Sequence, residues 1–281
     1  MAYQYFPGHM TKALRSMKED IKLIDLVIEV VDARIPQSSR NPEVDALSTG
    51  KKRIIVLNKS DLSDPSVNKL WAEHFRQNGM IVIEADSKKP ATLKNFEETV
   101  NTACVEKIER DRKRGIKNRP VRCMVIGIPN VGKSTFINTV SKKSGAKTGN
   151  KPGVTRGKQW IALGKTIELL DTPGILWPKF EDEKTGLNLA LIGSMNDEIL
   201  DISELCCKVL EFFKNENPSL LKQRYGDDLD TELDPPAMLI KIASKRNVIT
   251  KGNEPDINRM SSIIMEEFRS GKIGRVSLER P

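Results

Sequence analysis

The sequence predicts an α/β fold: a mostly parallel sheet with helices on both faces, followed by a smaller all-helical region. Three observations predict it. Short apolar runs at 26–31, 53–57, 80–83 and 121–126 read as buried strands. Helically patterned segments, 66–77 and 93–109 among them, lie between these runs, and such alternation implies parallel pairing. Polar and glycine-bearing motifs follow the runs directly, at the strand ends where open α/β sheets bind ligands.

Along the chain, the first element is an amphipathic helix. Met10, Leu14, Met17, Ile21 and Ile24 fall on one face at i, i+4, i+7, i+11 and i+14. The runs at 159–163 and 166–170 flank Gly164-Lys165 and predict a hairpin. A helix is expected over 134–140. Beyond Pro178 the chain leaves the sheet, and patterns such as 198–213 predict a helical domain. The expected domains are therefore 1–178 and 179–281.

The chain has 281 residues, 38% hydrophobic and 30% charged, which fits a globular protein and excludes a disordered one. No apolar run approaches the roughly 18–20 residues of a membrane span, and the start does not resemble a secretion signal. Cys104, Cys123, Cys206 and Cys207 form no CxxC pair, so a reduced cytoplasmic chain is expected; a monomer without a membrane partner is expected as well. The net charge of +8 is uneven: residues 121–180 carry +8 and residues 181–281 carry −5. Basic residues crowd 107–122, and Lys142, Lys143, Lys147, Lys151, Arg156 and Lys158 follow. Such a body suits a polyanion, although a solvated helix and loop would look the same. Aromatic residues are 5%, which favours phosphate and shape recognition of folded RNA over base stacking.

Gly127-Ile128-Pro129-Asn130-Val131-Gly132-Lys133-Ser134 matches G-x-x-x-x-G-K-[ST] between a strand and a helix, the context of a phosphate-binding P-loop. Its backbone N–H groups and the helix N-terminus would face phosphates. Lys133 would neutralise the β and γ phosphates, and Ser134 would offer a hydroxyl to Mg²⁺. Asn58-Lys59-Ser60-Asp61 reads guanine: the Asp61 carboxylate accepts from N1 and N2, which adenine cannot match. Asn58 and Asp61 thus argue against an adenylate-type kinase. Asn58 would bond the O6/N7 edge and the Lys59 stem would lie on the ring. Asp86-Ser87-Lys88 is a looser match to a third base loop, whose backbone N–H would meet O6. Asp171 would reach Mg²⁺ through water, and the Gly174 N–H would sense the γ-phosphate. Thr155 is the candidate switch threonine for Mg²⁺, with Thr148 in the same loop. Candidate nucleotide contacts are thus Asn58, Lys59, Ser60, Asp61, Asp86, Ser87, Asn130, Val131, Gly132, Lys133, Ser134, Thr135 and Gly174.

The order of these motifs is shuffled: the guanine reader precedes the phosphate cradle. The chain resembles the circularly permuted P-loop GTPases, with their Rossmann-like sheet, and among them the ribosome biogenesis GTPase A family. The closer match is carried by Phe6-Pro7-Gly8-His9-Met10, Asp32-Ala33-Arg34-Ile35-Pro36, Ser38-Ser39-Arg40-Asn41-Pro42, the P-loop through Thr135, and Asp171-Thr172-Pro173-Gly174-Ile175-Leu176-Trp177-Pro178. It runs from residue 3 to about 185 and is thinner at Lys222-Gln223-Arg224-Tyr225-Gly226 and Gly274-Arg275-Val276-Ser277-Leu278. The resemblance implies a GTP/GDP switch that assists late assembly of the large ribosomal subunit, with rRNA contact through the tail. Another RNA such as tRNA is the alternative.

Many GTPases place a water-orienting Gln just after D-x-x-G. Here Ile175 stands there and cannot orient water. The resemblance implies His9 as the catalytic stand-in beside Lys133; a capping surface His is the alternative. Asn130 resembles the K⁺-ligating Asn of K⁺-dependent GTPases, where K⁺ offsets developing charge; an Asn suited to a turn is the alternative.

Overall fold

The computed structural model describes residues 8–116, 119–142, 159–177, 180 and 182–281. The strands are β1 Leu26–Asp32, β2 Lys52–Asn58, β3 Ile81–Glu84, β4 Val121–Ile126, β5 Gln159–Leu163 and β6 Ile167–Asp171. They form one sheet in the order β3-β2-β1-β4-β6-β5, parallel except for the β5–β6 hairpin. Gly164 adopts φ +61° at the hairpin turn. The chain runs outward from β1 to β3 and then resumes on the other side of β1. The boundary between β1 and β4 is therefore the topological switch point, where the loops diverge and leave a crevice.

The helices of the first unit are α1 Gly8–Asp20, α2 Pro42–Leu47, α3 Pro65–Gln77, α4 Phe96–Ala103, α5 Val105–Lys113, α6 Lys133–Ser141 and α7 Glu183–Leu191, the last of which crosses into the second unit. α3 illustrates how sequence makes element. Asp64 caps its N-terminus by accepting from the Ser66 N–H at 2.8 Å, and Pro65 supplies the first turn. Val67, Trp71 and Phe75 recur every four residues and are buried against Val31, Ile55 and Leu57. Each such side chain contributes roughly 2–3 kcal/mol by leaving water. On α1, Met10 and Met17 are buried while Leu14 and Ile21 are half-buried, and Ile24 is buried beyond the helix end. The expected helix over 93–109 is instead a 3-10 turn, Pro90–Leu93, followed by α4 and α5, which break at Cys104.

The second unit, Leu189–Val276, contains α8 Ile202–Glu216, α9 Pro218–Tyr225, α10 Pro235–Lys245 and α11 Ile257–Arg269. Leu205, Val209, Leu210 and Phe213 of α8 are buried, as are Met260, Ile264 and Phe268 of α11; Phe213 and Phe268 meet edge to face at 6.2 Å. Glu267 is buried and accepts from the Arg224 and Arg246 guanidiniums and from the Tyr225 hydroxyl. Burial pushes the Glu267 carboxyl up, but these bonds outweigh it and hold it at about 2.

The expected division at Pro178 is displaced. The first unit runs to Asn188 and regains Ser277–Pro281 at the end of the chain. The displacement has a cause in the helix itself: α7 continues through the division, so no break in regular structure marks it.

Candidate nucleotide site

Each motif named from the sequence stands after a strand carboxyl end: Asn58 closes β2, Asp86 follows β3, Gly127 follows β4 and Asp171 closes β6. Parallel pairing puts these ends on one edge of the sheet. Side chains then join the loops. Asn58 donates from Nδ2 to the Val131 carbonyl of the P-loop at 2.7 Å. Its Oδ1 accepts from the Ser87 N–H at 3.1 Å and the Ser87 hydroxyl at 2.7 Å. From the last turn of α6, Thr139 reaches the same loop and donates to the Ser87 carbonyl at 2.6 Å. Three segments distant in sequence are thereby fastened together by one buried amide.

Two glycines show why the cradle admits no side chain. At Gly132, φ is +94° and a Cβ would lie 2.4 Å from Asn58 Nδ2. At Gly174 a Cβ would lie 2.9 Å from Lys133 Nζ and 2.9 Å from the Pro129 backbone. The Asp171-x-x-Gly174 segment therefore lies against the P-loop lysine. Lys133 is buried and donates to the Ile128 carbonyl at 2.9 Å. Burial lowers its ammonium to about 8 against the pull of Asp171. Burial likewise raises the Asp171 carboxyl to about 6, opposed by Lys133. Asp171 Oδ1 is buried and, among the described residues, lacks a hydrogen-bond partner. Ser134 sits in the first turn of α6, one residue beyond Lys133. A carboxylate oxygen and a hydroxyl are the hard donors that suit Mg²⁺, which keeps its remaining positions for phosphate and water. The residues present fit the ion.

The segment Asn58-Lys59-Ser60-Asp61 has a support that sequence reasoning did not identify. Lys59 adopts φ +57°, and its ammonium pairs with the buried Asp32 at 2.9 Å. Asp32 also holds Arg34 at 2.8 Å. Burial alone would push the Asp32 carboxyl up; Arg34 and Lys59 outweigh it and hold it well below the carboxylate range. Burial lowers the Lys59 ammonium in turn, against Asp32. The Ala33 N–H donates to the Asn58 carbonyl at 2.8 Å, so the backbone is joined as well. Asp61 is half-buried and, among the described residues, its carboxylate has no hydrogen-bond or ion-pair partner. The Ser60 N–H donates to the Ala85 carbonyl at 3.1 Å.

Two expected roles look different in place. The Ser87 N–H is directed to Asn58, the Lys88 N–H to Asp86 Oδ1 at 2.9 Å and the Lys89 N–H to the Asp86 carbonyl at 2.8 Å. These amides are turned into the loop, and Asp86 organises that turn. Asn58 is occupied as a brace between loops, beyond any contact it makes to a base. Asn130 has φ +62° in the cradle and Val131 is buried, whereas Thr135 is half-buried in α6. His9 falls in the first turn of α1, but its side chain lies outside the described residues, as do Thr148 and Thr155 and the basic loop around them. Ile175, after Gly174, is buried and its carbonyl accepts from Asn41 Nδ2 at 3.2 Å. Asn41 had only a family likeness to recommend it.

Of the basic stretch 107–122, Lys107 is buried and paired with Asp25 and Asp111, while Arg110, Arg112, Lys113 and Arg114 are exposed. The four cysteines are free. No described helix is long and apolar enough to cross a membrane.

Known proteins match this arrangement. A family described as 50S ribosome-binding GTPase matches residues 122–236. Ribosome biogenesis GTPase A of Bacillus pumilus is 43% identical over 281 residues, covering 100% of this chain and 99% of its own. Its namesake in Thermotoga maritima is 32% identical over 277 residues, covering 99% and 94%. The solved GNP-bound YlqF of T. maritima superposes with a TM-score of 0.66 at 30% identity, covering 96% of this chain and 98% of that one. A GDP-bound YlqF structure gives 0.67 at 30% identity, covering 95% and 99%. With the shuffled motifs assembled on one sheet edge and relatives aligned from end to end, the chain belongs to the ribosome biogenesis GTPase A family of circularly permuted GTPases, and it is a GTP-hydrolysing enzyme.

Proposed function

We propose that the protein is a GTP-dependent switch in late assembly of the large ribosomal subunit, working in the cytoplasm as a monomer that binds immature subunits through their rRNA. The observation that carries the reading is the approach of Gly174 to Lys133. A segment this close to the β,γ-phosphate lysine is placed to distinguish triphosphate from diphosphate. The description of the matching family, 50S ribosome-binding GTPase, supports the large subunit as the partner. The exposed arginines of 110–114 support a phosphate-rich one.

In this reading Asp61 accepts from guanine N1 and N2 and selects the base, with Asn58, Lys59, Ser60, Asp86 and Ser87 shaping its pocket. Asn130, Val131, Gly132 and Thr135 line the phosphates, and Lys133 neutralises the charge that develops on the β,γ bridge. Ser134, Thr155 and Asp171 would hold Mg²⁺, which neutralises phosphate charge when bound. Asn130 would hold K⁺, which supplies positive charge where an arginine finger would. Ile175 cannot order water, and His9 is assigned that task.

The test is sedimentation with large ribosomal subunits. Comigration with GTP or a non-hydrolysable analogue, release with GDP and acceleration of hydrolysis by subunits are expected. Comigration independent of nucleotide, or hydrolysis indifferent to subunits across ordinary K⁺ and salt, would overturn it. Faster hydrolysis with tRNA alone would favour the other RNA partner.

A further inference from the structure

The last five residues return to the first unit and end on one loop. Glu279 is buried, and its carboxylate accepts from the Gln37 N–H at 2.8 Å, the Ser38 N–H at 3.1 Å, the Ser38 hydroxyl, and Asn188 Nδ2 at 3.0 Å. The Glu279 carbonyl accepts from Trp71 Nε1 at 3.2 Å, and the Leu278 N–H donates to the Arg34 carbonyl at 2.9 Å. Asn188 is the last residue before the chain enters the helical unit, and Ser277 is the first after it returns. Asn188 also donates to the Ser38 hydroxyl at 3.1 Å. Both crossings of the chain are thus pinned to Ser38 and to each other.

The pinned loop is short and braced by its own hydrogen bonds. The Ser39 hydroxyl accepts from the Asp32 N–H at 3.0 Å and donates to the Ile35 carbonyl at 2.7 Å. Three residues beyond Ser38, Asn41 is buried with both ends of its amide committed. Its Oδ1 caps α2 through the Glu43 N–H at 3.0 Å, and its Nδ2 holds the Ile175 carbonyl. Ile175 adjoins Gly174, which packs on Lys133. A tail needs one contact to be tied down. A buried carboxylate gathering four donors, on the loop that also grips the phosphate-sensing segment, does more than that.

We propose that Glu279 is a positioning residue for GTP hydrolysis, acting through Ser38 and Asn41 on the Gly174–Ile175 segment and so linking both chain crossings of the helical unit to the phosphate end of the site. The proposal rests on the reading of Gly174 as the γ-phosphate contact. Displacing a catalytic segment by about 1 Å can cost as much as 100-fold in rate, and a second-step effect is smaller.

The experiment uses the full chain and measures kcat and KM for GTP together with Kd for GDP. Glu279→Ala and Asn41→Ala each lower kcat about tenfold, with KM and the GDP Kd within about twofold. Because both act on one path, the double variant is no slower than the slower single. Glu279→Gln keeps one acceptor oxygen and recovers part of the rate. An unchanged kcat in soluble Glu279→Ala, losses that multiply in the double variant, or a tenfold rise in KM would each overturn the proposal. Should Glu279→Ala fail to fold, Ser38→Ala, which removes only the hydroxyl, must show the same loss of kcat. Gly174→Ala separates the two readings. If it leaves hydrolysis intact, the γ-phosphate assignment fails; if it abolishes hydrolysis while Glu279→Ala does not alter kcat, only the link fails.

Discussion

Replacing Asn58 with Ala tests the assembly of the site at its most connected side chain. The change removes three hydrogen bonds: to the Val131 carbonyl and from the Ser87 N–H and hydroxyl. At a net ~0.5–1.5 kcal/mol each they contribute about 3 kcal/mol. The cost does not fall below this sum easily, because Val131 O and Ser87 N are left without their partner in a buried setting. In a domain of this size 1 kcal/mol moves the midpoint by about 2–4 °C. The nucleotide-free protein should therefore melt roughly 6–12 °C lower. Where the loops reorder on binding, the same penalty appears as a loss of GDP affinity, up to about 100-fold. Thermal unfolding followed by near-UV signal, and titration with a fluorescent GDP analogue, read the two shares. Asn58→Asp sharpens the test: it keeps an acceptor for Ser87 but sets a carboxylate against the Val131 carbonyl, so it should be no better than Ala. A variant that melts within about 1 °C of the parent and binds GDP within about twofold would show that the loops are held by something other than this amide.

Three further outcomes follow from the same geometry. Gly132→Ala places a methyl 2.4 Å from Asn58 Nδ2 at a positive φ, and should reproduce the Asn58→Ala loss of GDP affinity; normal binding would show that the cradle yields. Asp61→Asn exchanges an acceptor for a donor, so competition binding should fall at least about 100-fold for GTP and turn toward xanthosine triphosphate, whose C2 carbonyl accepts; an unaltered base preference would remove Asp61 from recognition. Glu267 is depressed from 4.5 to about 2 by Arg224, Arg246 and Tyr225, so its stabilisation is present above pH 4.5 and is lost as pH falls toward 2. It amounts to roughly 2–3 kcal/mol, and Glu267→Gln should flatten that part of the acid-unfolding profile of the helical unit; an identical profile in parent and variant would refute the assignment.

The strands were legible because buried parallel strands need unbroken apolar residues, and 26–31, 53–57 and 121–126 supply them. α3 was legible from Asp64-Pro65 and its four-residue apolar repeat. The motifs proposed to touch phosphate or base were legible because their chemistry is local: a lysine, a glycine turn and a carboxylate at fixed spacing. What remained hidden acts over long separations. Asp32 and Lys59 meet across a strand pair, and no local spacing announces their ion pair. Glu279 finds Ser38 across 241 residues. The boundary of the compact units was not legible because Pro178 reads as a linker, whereas the chain changes units inside α7, where the helix continues through Gly186 and past Asn188 without a break. The helix over 93–109 failed at Cys104, where the side-chain pattern gives no sign of a break.

Permuting the motif order has a mechanical consequence that follows from the sheet alone. A nucleotide site of this class requires its loops at adjacent carboxyl ends and is indifferent to the sequence in which the chain visits them. In the proposed site β2 and β3 would supply the base side, and β4 and β6 the phosphate side, whichever is made first. The order decides what leaves the site last. Among the described residues the last strand is β6, so the segment carrying Gly174 returns to no further described strand of the sheet and leads through Trp177 toward α7. In an unpermuted arrangement the same segment would be anchored at both ends by strands of its own sheet. Here one anchor is the sheet and the other is side-chain chemistry: Asn41 on the Ile175 carbonyl, then Asn188 at Ser38 and Glu279. In the proposed switch, motion of the segment is therefore resisted by a few hydrogen bonds, individually worth about 1 kcal/mol, and by the burial of Ile175, Leu176 and Trp177, rather than by a strand ladder.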